Sequence, residues 1–281
     1  MSKWSHYQTK PGYHKWRHSR HIGPFIDPDG RDRLFYDLGA NAGYHMREAE
    51  KLGYKAKGVD IDPQSVALSP DLDLVQGDVN YITPLPAHTT LLSCVHYHQS
   101  PEQAEALLHN VSYTSAYVIV MGRHKGEPRS NPTKLHLINN ILHGYDVVGE
   151  KESRIFYSVL LKSKRALEYE VEELYQATRE FTSKMPASEY DDWVPAFEEF
   201  VRCSLNDMEY DATGSAWMDY LNRRRIRRRL ARCWEYKKII QSIQKEGLLS
   251  PIKTRKGRVT DGMHRLVILR ELGGTRVICR Q

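Results

Sequence analysis

The chain reads as an α/β protein: a Rossmann-like domain with a mixed, mostly parallel sheet, then a helical connector, then a small α+β domain. Three observations predict this. Between residues 34 and 161, short apolar runs alternate with helix-length segments, the pattern of successive βα units. The first run, 34–38, ends in a glycine-rich turn, Gly39-Ala40-Asn41-Ala42-Gly43, that opens a helix. From Arg165 onward the composition changes to long charged helical stretches, closed by strand, turn and helix signals after residue 236.

Composition bounds the reading. A chain of 281 residues holds one large or two ordinary domains. A formal charge of +6 and a pI near 9.0 suggest an anionic partner. Cys94, Cys203, Cys233 and Cys279 are scattered with no C-x-x-C pair, which argues for a reducing compartment and against a zinc knuckle. No apolar run reaches the length of a membrane span and the start has no signal-like apolar region, so a cytoplasmic protein without membrane contact is expected.

Residues 1–33 form a basic, aromatic arm containing His6, His14, His18, His21, Trp4, Tyr7, Tyr13 and Trp16. Such a mixture can stack on bases and contact phosphates. His14 and His18 are one helical turn apart, but an arm packed over the neighbouring site, or a flexible leader, is the stronger reading and no metal is assigned. Asp27-Pro28-Asp29-Gly30 makes a turn before the first strand. The domain itself spans 34–164. Strands are predicted at 34–38, 56–61, 74–79, 90–98 and 116–121, with an antiparallel pair at 146–149 and 154–161. Helices are predicted at 44–52, 101–110 and 133–142. The run 90–98 is continuously apolar at its start, as in a strand covered on both faces.

Asp37-x-Gly39-x-Asn41-x-Gly43, Gly58-Val59-Asp60-Ile61-Asp62 and Gly77-Asp78-Val79 resemble, in order and spacing, the first three motifs of class I S-adenosylmethionine (SAM) dependent methyltransferases. The resemblance implies SAM as cofactor, held by Asp37, Gly39, Asn41, Gly43, Tyr44, Asp60, Ile61, Asp78 and Val79. In it, Asp60 chelates the ribose hydroxyls and Asp78 meets the adenine amino group. A dinucleotide fingerprint would require G-x-G-x-x-G, which is absent. Beyond the fourth strand stands Ser93-Cys94-Val95-His96-Tyr97-His98-Gln99, which matches neither the amino-methylating nor the cytosine-C5 pattern of DNA enzymes. His96 or His98 is the candidate base that would deprotonate a hydroxyl or amine. Arg123, His124, Lys125 and Arg129 follow the fifth strand and are read either as a solvated loop or as candidates for an acidic or phosphorylated substrate.

The connector, 165–235, is first acidic, with Leu174, Phe181, Trp193, Phe197 and Phe200 as its apolar side. Breaks fall at 185–188, where Ser188 and Asp191 resemble a cap, and at 211–215. An arginine-rich helix follows, in which Arg223, Arg224, Arg227 and Arg228 are candidates for nucleic-acid phosphates or for pairing with the acidic stretch.

Residues 236–281 carry a helix closed by Gly247, then Leu248-Leu249-Ser250-Pro251-Ile252, a Lys256-Gly257 turn, Asp261-Gly262-Met263-His264-Arg265, a helix and a last strand. This resembles the ParB/sulfiredoxin core. It implies a nucleotide-phosphate site at Asp261, Gly262, His264 and Arg265, taking ATP or CTP. Met263 stands where the reductases of that group have cysteine, which argues against sulfinic acid reduction. The combined expectation is a SAM-dependent methyltransferase acting on a nucleotide, a nucleic acid or a phosphorylated small molecule. The alternatives are an ATP- or CTP-dependent kinase or nucleotide-processing enzyme with a methyltransferase-like binding half, and a non-enzymatic nucleic-acid-binding protein.

Overall fold

The computed structural model describes residues 13–123, 144–183, 190–207, 210–213, 215–223 and 229–281. The chain divides into two compact units, Met1–Glu168 and Tyr169–Gln281, each described by itself. The helix read at 133–142 and His124, Lys125 and Arg129 lie outside the described residues, as do Arg224, Arg227, Arg228 and the break at 185–188.

The first unit is built on a seven-stranded sheet of order β3-β2-β1-β4-β5-β7-β6. Its strands are β1 (Leu34–Leu38), β2 (Lys55–Asp60), β3 (Asp73–Gln76), β4 (Ala87–Ser93), β5 (Ser115–Arg123), β6 (Tyr145–Glu152) and β7 (Phe156–Ser163). The pairs from β3 through β5 are parallel. β7 runs antiparallel to both β5 and β6. β4 is buried along nearly its whole length, as a central parallel strand covered on both faces must be. Edge strand β6 alternates, burying one face only.

Short helices connect the parallel strands: α1 (Tyr13–Arg17) precedes the sheet, α2 (Tyr44–Glu50) follows β1, α3 (Pro63–Ala67) follows β2 and α4 (Pro101–Val111) follows β4. The start of α4 is fixed by a reciprocal cap between Ser100 and Gln103 with Pro101 at its first position. The fourth strand ends earlier than its apolar run suggests. Cys94 adopts a positive φ of 63°, which no strand accommodates, and His96–His98 forms a 3-10 turn.

The described part of the arm is integral to this unit. Ile22 and Ile26 are buried with Phe35, Tyr54, Leu91 and Met121 in one apolar cluster. Arg33 donates to both carboxylate oxygens of Glu168, at 3.0 and 2.8 Å, and to Asp27 at 2.9 Å, so its nearly buried charge is matched from two sides. Helix α1 runs into a π-helical turn, His18–Ile22.

The second unit contains α5 (Val171–Ser183), α6 (Tyr190–Asn206), α7 (Ala216–Arg223), α8 (Arg229–Glu246), β9 (Ile252–Arg255), β10 (Arg258–Asp261), α9 (Met263–Glu271) and β11 (Arg276–Arg280). The division between the units falls within β8 (Ala166–Glu170), the edge strand of a four-stranded sheet of order β10-β9-β11-β8. β9 and β10 form a hairpin through Lys256 and Gly257, both at positive φ, the geometry that matches strand twist in a two-residue turn. Leu174, Phe197, Phe200 and Trp217 from the helices share one core with Ile252, Leu266 and Ile278's neighbour Val277. This corrects the reading of 165–235 as a connector. Its helices complete the core of the small sheet, because an apolar face that long has to be buried somewhere and the short strands alone cannot cover it.

Candidate functional site

The strand order of the first sheet reverses between β1 and β4, so their carboxyl ends frame the crevice where doubly wound sheets take ligands. The loop after β1 is a tight turn packed closely against its neighbours. Gly39, Asn41 and Gly43 all have positive φ, at 81°, 60° and 69°. A Cβ on Gly39 would lie 2.3 Å from a methyl of Val95, and one on Gly43 2.2 Å from Leu72, so neither position has room for a side chain.

Asp60, at the end of β2, ties this loop down. One carboxylate oxygen accepts the amide of Asn41 at 2.7 Å and the other accepts the amide of Asp62 at 2.9 Å. A carboxylate has about four acceptor sites, so roughly half of its capacity is left for a ligand's hydroxyls. Burial pushes the Asp60 carboxyl above its ordinary range, while the two backbone bonds oppose that shift. Asp37 is different. It is fully buried, and neither oxygen has a hydrogen-bond partner among the described residues. Burial and the neighbouring Asp60 charge push its carboxyl well above the usual range. An unpaired buried carboxyl costs stability until a donor or cation reaches it, which makes Asp37 a functional-site candidate.

Directly after Asp60, Ile61 is an exposed apolar side chain, at 66%. Asp78 accepts both the amide and the side-chain nitrogen of Asn80 on a single oxygen, at 2.9 Å each. Asn80 in turn accepts from Gln99 at 2.6 Å. The Gln99 side-chain oxygen is buried and has no partner among the described residues. This chain links the end of β3 to the end of β4. Val79 packs on the core beneath it. Asn80 and Gln99 were not singled out by the sequence; their only signal is adjacency to Asp78 and His98.

The two candidate bases occupy different environments. His96 is 1% exposed, its Nε2 2.8 Å from the Tyr157 hydroxyl, and its ring fills the space over Gly122. Burial, then the proximity of His98, pushes its pKa down to about 4. His98 is exposed. The 3-10 turn therefore sends one histidine inward and the other outward, and access favours His98. The His96 shift also makes a stability prediction. Its folded value lies below the unfolded value, so its contribution is present above pH 6.5 and is lost as pH falls through that range toward 4. A shift from 6.5 to about 4 corresponds to roughly 3 kcal/mol for a group this deeply buried. Denaturant titrations between pH 7 and 4 should show the loss, and His96→Gln should flatten it; an unchanged slope in the variant would contradict the assignment.

The arm shapes the flank of this region. Tyr44 stacks on His14 at 5.7 Å, and His18 Nδ1 lies 3.1 Å from His45 Nδ1. Burial lowers the pKa of all three histidines, so the cluster is neutral at neutral pH. His21 is turned away from them, toward the Ser158 hydroxyl at 3.3 Å. No group of three His, Cys, Asp or Glu among the described residues could hold a metal. Arg17 donates to the Cys94 thiol sulfur at 3.6 Å and covers the Phe156 ring.

In the second unit, Asp261, Gly262 and His264 line a cavity of about 330 Å³, together with Trp193, Arg232 and Tyr236. Arg265 does not line it. Its guanidinium donates to the carbonyls of Ser250 and Pro251, at 2.9 and 3.4 Å, and holds the loop before β9. Both bonds use Nη1; Nη2 lies 3.9 Å from the Asp261 carboxylate, beside the start of the helix. Arg232 borders the cavity in its stead, a residue the sequence hid inside an arginine run. Arg223 closes α7. No helix among the described residues is long and apolar enough to cross a membrane.

No family model matches this chain, and no curated protein matches it. Solved structures do. A protein from Pyrococcus horikoshii OT3 is similar at 10% identity and a TM-score of 0.48, covering 57% of this chain and 99% of its own. A structure described as a putative SAM-dependent methyltransferase from Listeria monocytogenes is similar at 14% identity and a TM-score of 0.43, covering 50% and 95%. A SAM-dependent methyltransferase from Archaeoglobus fulgidus is similar at 16% identity and a TM-score of 0.45, covering 57% and 97%.

Proposed function

We propose that the first unit is a SAM-dependent methyltransferase. The observation that carries this is the pair of acids at the switch point: Asp37, buried and unpartnered, and Asp60, which pins the Gly39–Gly43 turn and keeps acceptor capacity for hydroxyls. The donor set fits the cofactor. Asp37 supplies a negative charge for a cationic amino group, Asp60 takes ribose hydroxyls, Ile61 covers a ring face and Asp78 accepts an exocyclic amine. Gly39, Asn41, Gly43 and Tyr44 leave the backbone close enough for contact, and Val79 backs the ring site. When bound, SAM supplies an electrophilic methyl group on a sulfonium.

The protein's share is alignment and preparation of the nucleophile. Methyl transfer is an in-line displacement, so holding the acceptor in register supplies most of the acceleration. His98 is the residue placed to take a proton from a hydroxyl or amine acceptor near neutral pH. His96, neutral and bonded to Tyr157, holds the turn that carries it. The acceptor class that fits the net charge of +6 is anionic: a nucleotide, a nucleic acid or a phosphorylated small molecule. The second unit is read as a nucleotide-binding domain, for ATP or CTP, and Arg223, Arg224, Arg227 and Arg228 as auxiliary phosphate contacts.

The experiment is transfer of labelled methyl from SAM into a cell extract, separated into nucleic acid, protein and small molecules. Label is expected in the nucleic-acid or small-molecule fraction and absent with Asp60→Ala. Label in protein alone would reject the acceptor class, and equal labelling by Asp60→Ala would reject the site.

A further inference from the structure

Histidines fasten the described arm to α2. His18 and His45 lie edge to edge: the two Nδ1 atoms are 3.1 Å apart, the ring centroids 5.4 Å, and the planes differ by 20°. This is an N–H···N hydrogen bond between two imidazoles, one ring donating and the other accepting. His14, one turn earlier, stacks on Tyr44 at 5.7 Å and meets the His45 ring edge-on at 6.0 Å. Tyr44 and His45 are the first two residues of α2, directly behind the Gly39–Gly43 turn. Further along the arm, Ile22 is fully buried in the apolar cluster with Phe35 and Leu91, an anchor that no titration touches.

Two imidazoles joined in this way accept one further proton and not two. A proton on the outer nitrogen of the donating ring leaves the bond in place. A second proton has to enter at the accepting Nδ1, and two N–H groups then face each other at 3.1 Å.

We propose that residues 14–18 form an acid-released latch on α2: the His18–His45 bond and the His14–Tyr44 stack close it at neutral pH, and protonation of the histidines opens it as far as the Ile22 anchor. The charged and titratable groups facing the cluster are Arg17 from the arm and Tyr44, Glu48 and Lys51 from α2. Of these, Glu48 alone favours a charged ring, and it is tied to Lys51 at 2.6 Å. Burial is the main cause that lowers all three histidine pKa values, to about 4 for His14. The docked values lie below the free value of 6.5. Docking energy is therefore complete above pH 6.5 and is lost as pH falls through 6.5 toward 4. Each histidine set free takes up a proton, so opening consumes about three. While shut, the latch holds Tyr44 at the glycine turn. Its effect on a ligand rests on the reading of the first unit as a SAM site; the latch itself does not.

The test uses the full chain with nitrogen-15 in its histidine rings. At pH 7.5 the Nδ1 signals of His18 and His45 should be coupled across the hydrogen bond. Trp16, whose ring lies 6.0 Å from that of Phe156, reports docking as the fluorescence difference between the full chain and its Trp16→Phe variant. Between pH 7.5 and 4.5 this signal should show opening with uptake of about three protons, while circular dichroism shows the sheet intact. His18→Gln keeps a hydrogen-bonding group that cannot be charged, so opening should take up about two protons. S-adenosylhomocysteine affinity, measured by calorimetry, should fall across the same range, and at least about fivefold less in His18→Gln, whose acids are unchanged. Absence of the coupling at pH 7.5 overturns the latch. So does a docked arm at pH 4.5 with the sheet intact, or an unchanged proton uptake in His18→Gln. An equal fall in affinity in both proteins overturns its hold on the ligand site. If S-adenosylhomocysteine does not bind at pH 7.5, the SAM reading fails, and the coupling and the proton uptake still decide the latch.

Discussion

Replacing Asp37 by Asn is expected to leave the ligand-free protein as stable as before, or more stable, at neutral pH, and to weaken SAM binding by roughly 10- to 100-fold, the worth of one hydrogen bond to a charged group. The two effects have opposite signs because, in the proposed site, the carboxyl serves the ligand and not the fold. Both oxygens are buried without a partner, and burial plus the Asp60 charge raises the carboxyl's pKa well above the ordinary range. The folded state therefore keeps a proton that the unfolded chain gives up. Stability contributed by that proton is present below the unfolded value and is lost as pH rises toward the folded one. Asn removes this slope while keeping the shape. A cationic ligand restores the charged form, so SAM binding should release a proton in the wild type and not in the variant. Denaturant curves at several pH values and calorimetry in two buffers of different ionisation heat measure both. A large loss of stability in Asp37→Asn would show that the carboxyl holds the fold together.

The second large effect is on the glycine turn. Gly39→Ala is expected to cost about 2–5 kcal/mol: about 1–2 for a side chain at left-handed φ and about 1–3 for overpacking. The geometry is specific, since φ is 81° and the new Cβ would sit 2.3 Å from a methyl of Val95. Removing that methyl separates the two causes. Gly39→Ala with Val95→Ala should recover the overpacking share, about 1–3 kcal/mol, and leave the backbone strain in place. Full recovery in the double variant would mean that φ is unimportant there. No recovery would mean that the turn itself, not the contact, demands glycine. Unfolding curves for the four proteins complete the cycle.

The parallel strands and the turn after β1 were legible because their signals are local. A buried parallel strand is apolar throughout, and a left-handed turn needs residues such as Gly39, Asn41 and Gly43. Asp60 followed from its spacing after the glycines, Asp37 from its place at the strand end, and Asp78 from the methyltransferase resemblance. What was not legible depends on the third dimension. That His96 turns inward and His98 outward is set by the positive φ of Cys94, which shortens β4. The commitment of Arg265 to the Ser250 and Pro251 carbonyls depends on a loop fifteen residues upstream folding back on the box. The helices of 171–223 looked like a spacer because their apolar positions had no visible partner; the partner is the small sheet encoded after residue 250. Arg232 was one arginine among many until the cavity set it apart.

The most direct measurement is calorimetric titration of the full chain with S-adenosylhomocysteine, which tests the cofactor site without needing the acceptor. Saturable one-to-one binding is predicted, weakened about a hundredfold or more in Asp60→Ala, since that residue pins the turn and, in the proposed site, takes the ribose hydroxyls. No binding by the wild type, or equal binding by Asp60→Ala, would contradict the account.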